Sequence, residues 1–85
     1  MTRKVLLASD RGSQIHPEAR LSQVCVQSIL DRWESGAITD RDEVHGALLM
    51  ALDGNNADFG MLTQAIIHGK GDITLDGSTG YARLA

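Results

Sequence analysis

The sequence predicts an α+β fold: three helices carrying a small antiparallel sheet built from an N-terminal strand and a C-terminal β-hairpin. Three observations lead there. The apolar run Val5–Ala8 is short and bounded by polar residues, as a buried strand would be. Three segments between residues 17 and 68 carry apolar residues at helical spacing and are bounded by Pro, Thr, Asp, Asn and Gly, the usual start and stop signals. Residues 72–85 hold two alternating runs around a Gly-rich turn, the pattern of a hairpin.

The 85 residues fit one domain, 1–85. Leu, Ile, Val and Phe total 21, enough for a folded core but a small one. Domains of this size usually need a disulfide, a metal or a partner. Cys25 stands alone, so an internal disulfide and a cysteine-based zinc site are both excluded. A partner is the support left open.

The elements follow in order. Val5–Ala8 is the strand, and residues 9–16 form a polar connection containing Gly12. Pro17 suits the first position of a helix, because its missing N–H would be unpaired there anyway. Gly36 supplies a left-handed stop. Between them, Arg20, Gln23, Gln27, Asp31 and Glu34 fall within an arc of about 80°. The apolar remainder is wider than one face requires, so this helix should pack on two sides, as the central helix or at an interface.

Thr39 and Asp40 resemble capping boxes with Asp42 and Glu43, and open a second helix. Its core face is Val44, Ala47, Leu48, Ala51 and Leu52, with Leu49 and Met50 lying off it. Asp53-Gly54-Asn55-Asn56 ends it. A third helix spans 57–68, with Phe59, Leu62 and Ile66 on the core face and Met61, Ala65 and Ile67 widening it. Gly69-Lys70-Gly71 breaks it.

Little in the chain points to catalysis or to a cofactor. His16, His45 and His68 are far apart, with no His-x-x-x-His or Glu-x-x-His pair on one helix face. Asp53–Asp58 departs from a calcium loop at Ala57, Asp58 and Gln64. Gly69-Lys70-Gly71 lacks the upstream Gly and the following Ser or Thr of a phosphate loop. Cys25 falls on an apolar face, where thiols behave as small hydrophobes. The expectation is a non-enzymatic protein with no cofactor and no metal.

The order of elements resembles the winged helix-turn-helix. In that reading Gly36-Ala37-Ile38 would be the short strand after the first helix, the third helix would read DNA, and 72–84 would be the wing. Tyr81-Ala82-Arg83-Leu84 looks like the last wing strand of some small bacterial repressors. The resemblance implies a DNA-binding transcriptional regulator, with Gln64, His68 and Lys70 as the contacts. Charge argues against it. The net charge of -3 divides into +1 over residues 1–41 and -4 over 42–85, the half that would face the phosphates.

The favoured expectation is a regulator that acts by protein–protein contact, as a homodimer or on a larger assembly. Its contact residues would be Leu49, Met50, Val26, Leu30 and Trp33. In size, acidity and lack of chemistry the chain is similar to small phage or mobile-element inhibitors of larger machines. No apolar stretch approaches a membrane span, and Val5–Ala8 is too short for a signal peptide's apolar region, so a cytoplasmic protein is expected.

Overall fold

The computed structural model of the chain describes residues 3–8, 17–52 and 59–76. Strand β1 (Val5–Ala8) is followed by helices α1 (Pro17–Ser35), α2 (Arg41–Ala51) and α3 (Phe59–His68), and then by strand β2 (Ile73–Asp76). The described part of each expected helix forms. The α1 stop is at Gly36, whose φ of 86° is left-handed. The α2 cap is Asp40, whose carboxylate accepts the Asp42 N–H at 3.1 Å.

The expected antiparallel sheet does not form. β1 and β2 are paired in parallel, with Val5 opposite Ile73 and Leu7 opposite Leu75. The reason is topological. Three helices lie between the strands, and together they return the chain to the end where β1 began. β2 then runs beside β1 in the same direction, starting from the Ile73 N–H donating to the Lys4 carbonyl at 2.9 Å. The short-range alternation of 72–76 signals a strand but carries no information on its long-range partner. The second half of the expected hairpin, 77–85, lies outside the described residues. The short strand that the winged-helix reading placed at 36–38 does not form, and residues 77–84 of its wing lie outside the described residues.

One face of the sheet lies on the helices. Val5, Ile73 and Leu75 are buried there with Val26, Ile29 and Leu30 of α1, Val44 and Leu48 of α2, and Leu62 and Ile66 of α3. α1 contacts every other element, as the wide apolar arc implied. The arc is not filled evenly, however: Leu21 and Val24 are 63% and 64% exposed.

The polar arc of α1 has a structural task instead. An edge strand presents unpaired backbone groups that must be covered. Gln27 Oε1 accepts the Val5 N–H at 2.7 Å, and Gln23 Nε2 donates to the Val5 carbonyl at 2.8 Å. Gln27 Nε2 donates to the Arg3 carbonyl at 3.1 Å and to Asp31 Oδ1 at 2.9 Å. Glu34 Oε1 accepts the Arg3 N–H at 3.3 Å. At Val5, the first residue of β1, the carboxamides of α1 thus stand where a neighbouring strand would be.

Replacing Gln27 by Met keeps the side-chain length but leaves the Val5 N–H and the Arg3 carbonyl without these partners. Urea denaturation should show a loss of about 1–3 kcal/mol, whereas Gln64→Met at an exposed position of α3 should stay within about 0.5 kcal/mol of wild type.

Candidate functional site

The expected contact residues divide into interior and surface. Val26 and Leu30 are fully buried in the core and present nothing to a partner. Trp33 is half-buried against that core. It lines an open cavity of about 550 Å³ together with Arg3, Glu34, Thr39 and Ile67. Leu49 and Met50 are at the surface, 44% and 85% exposed. In the same helix Val44 and Leu48 are completely buried, so α2 has one face committed to the core and another that carries apolar side chains outward. Asp42, Gly46 and Leu49 recur along that outward line, flanked by Glu43 and Met50, as the 3.6-residue period requires.

The residues tied to DNA reading are all exposed: Gln64 and His68 one turn apart on α3, and Lys70 in the turn beyond it. α3 contains neither Lys nor Arg. Asp72 follows close by in sequence, and its carboxylate accepts the Lys4 N–H at 2.9 Å. The arrangement offers few cations for phosphates.

Cys25 is half-buried and packs against the core, in keeping with a structural thiol. His45 Nδ1 lies 3.4 Å from Thr63 Oγ1, and that hydroxyl donates to the Phe59 carbonyl at 2.7 Å. The contact links α2 to α3 across a buried threonine. Among the described residues no group of three His, Cys, Asp or Glu is placed to hold a metal ion. No helix among them is long and apolar enough to cross a membrane.

The residue that sequence reasoning missed is Arg3. Its guanidinium reaches the end of α3: Nη2 donates to the Ala65 carbonyl at 2.7 Å and Nη1 to the Ile66 carbonyl at 3.0 Å. Nε donates to the Gly71 carbonyl at 2.7 Å. Helix C-termini leave carbonyls without intrahelical partners and carry partial negative charge. A forked cation with several donors satisfies both at once. Gly69 makes room for it. A Cβ at Gly69 would overlap the Ala65 carbonyl oxygen and lie 2.9 Å from Arg3 Nη2. The sequence signal was faint: an Arg two residues before a strand, and a Gly one residue past a helix.

Arg3→Met should cost about 2–3 kcal/mol through loss of charged hydrogen bonds. Gly69→Ala should also destabilise, chiefly because its methyl would overlap the Ala65 backbone carbonyl, and secondarily by pressing on the guanidinium. The backbone overlap persists without Arg3, so in urea melts the double variant should be clearly less stable than either single variant. A double variant no less stable than Arg3→Met would show that Gly69 serves only to admit the guanidinium. No protein-family model matches this chain, and no curated protein or solved structure is significantly similar to it.

Proposed function

We propose that this chain is a non-enzymatic regulatory module that acts by protein–protein contact, in the manner of a small inhibitor of a larger assembly, and that it also pairs with itself. The observation that carries the reading is the outward face of α2. Met50, 85% exposed, and Leu49, 44% exposed, share a helix with apolar residues that are fully buried. Exposed single apolar side chains are ordinary. Two adjacent ones opposite a complete core face form a surface suited to a partner. Methionine is well suited to such a role, being flexible and polarizable. The module's size adds a reason: a domain without disulfides gains stability from whatever binds its folded form. The reading places it in the cytoplasm, in keeping with its single unpaired thiol, Cys25.

The acidity of residues 42–85 and the absence of Lys and Arg from α3 favour a protein partner over nucleic acid. Nonspecific duplex DNA at micromolar concentration and 50 mM salt should not be bound. Binding that collapses between 50 and 200 mM salt, and that Lys70→Glu removes, would contradict the proposal. Chemical cross-linking in concentrated extract should give higher-mass species with the wild type but not with Leu49→Asp/Met50→Asp, whose circular dichroism should be unchanged. Equal cross-linking of the two would remove α2 from the interface.

A further inference from the structure

The proposed contact through α2 has a matching surface on the same chain. α1 also has an outward face, and Val24, Ser28 and Arg32 recur along it at four-residue spacing, all exposed. On α2 the corresponding series is Asp42, Gly46 and Met50, again at four-residue spacing. Both series extend over eight residues, about 12 Å of helix. Laid antiparallel, they place Val24 on Met50, Ser28 on Gly46 and Arg32 on Asp42. Apolar meets apolar, small meets small, and cation meets anion. Arg32 Nε donates to the Ser28 carbonyl at 3.4 Å, which holds the side chain along its own helix, beside the small residue.

Gly46 is the independent observation. It sits inside α2, where glycine is unfavourable relative to alanine. The fold gives no reason for it: its φ is not positive, and a Cβ there would meet nothing within 4 Å. A glycine on the outward line of a helix lets another backbone approach closely. Resting on the reading that α2 is a protein-binding face, we infer that its occupant is α1 of a second copy of this chain. The contact is heterologous, with the α1 face of one molecule on the α2 face of the next, so each molecule carries both halves.

That asymmetry gives a decisive test. Val24→Asp damages only the α1 half and Met50→Asp only the α2 half. Both positions are exposed, so each variant should keep the wild-type circular dichroism and urea midpoint. In sedimentation velocity from 10 to 500 µM the wild type should associate, and each variant alone should associate at least tenfold more weakly. A one-to-one mixture of the two variants should recover association, because one undamaged α1 face and one undamaged α2 face remain. Gly46→Leu should also weaken self-association at least tenfold while leaving the fold intact. Arg32→Glu and Asp42→Arg should each weaken it, and the doubly exchanged chain should recover. A wild type that stays monomeric throughout overturns the second-copy inference and the self-pairing in the proposed function, while leaving a heteromeric partner for α2. Association that Met50→Asp removes but Val24→Asp does not would show a different occupant on the α2 face. Failure of the mixture to recover overturns the pairing of α1 with α2.

Discussion

Three consecutive residues, Arg3 to Val5, tie the ends of the described chain together. The Arg3 N–H and carbonyl bond to Glu34 and Gln27 of α1, and its guanidinium bonds to the end of α3. Lys4 donates to Asp72 and accepts from Ile73. Val5 returns to α1 through Gln27 and Gln23. Every backbone N–H and carbonyl of the segment is therefore bonded, and its partners come from α1, β2 and the residue before β2. In so small a domain the apolar core alone gives a narrow margin. A polar segment left unsatisfied at this position would cost a large part of it.

The rest of the architecture follows from that stitching. The carboxamides occupy the outer edge of β1 at Val5, where a third strand would otherwise begin to pair. A parallel pair ordinarily lies in a larger sheet covered on both faces. Here the helices cover one face, while Leu6 on the other is 43% exposed. The glutamines serve as a substitute for the missing neighbour strand. α1 thus buries Val26, Ile29 and Leu30 in the core and commits two residues of its polar arc, Gln23 and Gln27, to the strand, while Leu21 and Val24 face solvent.

That division of α1 shows which parts were legible beforehand. Helix positions were readable because their signals are local: Pro17 at a start, Gly36 at a stop, Asp40 at a cap. Strand positions were readable for the same reason. Strand pairing was not, because Val5 and Ile73 are 68 residues apart and nothing in either run specifies its partner. Leu49 and Met50 were readable as surface residues, since they fall off the helical period of Val44, Leu48 and Leu52. Val26, Leu30 and Trp33 were not separable from surface residues by periodicity, because the apolar arc of α1 exceeded what one core needs. Gln23 and Gln27 fall in the polar arc of α1, and only the path of residues 3–5 reveals their partners. Arg3 illustrates the same limit: a long cation can reach carbonyls more than sixty residues away without leaving a local trace.

The same interaction links fold to function. The N-terminal segment bonds to α1 through Gln23, Gln27 and Glu34, while Leu21 and Val24 on α1 and Leu49 and Met50 on α2 stay exposed, and it is through these that the molecule would meet others. At the root of the fold, helix carboxamides take the place of a neighbouring strand at Val5. Native-state hydrogen exchange at the Val5 amide tests it most directly. Its proton is bound only to the Gln27 side chain, so the account predicts exchange as slow as that of the buried core amides, governed by global unfolding. Exchange of the Val5 amide near the rate of an unprotected peptide, with the core amides still protected, would contradict it.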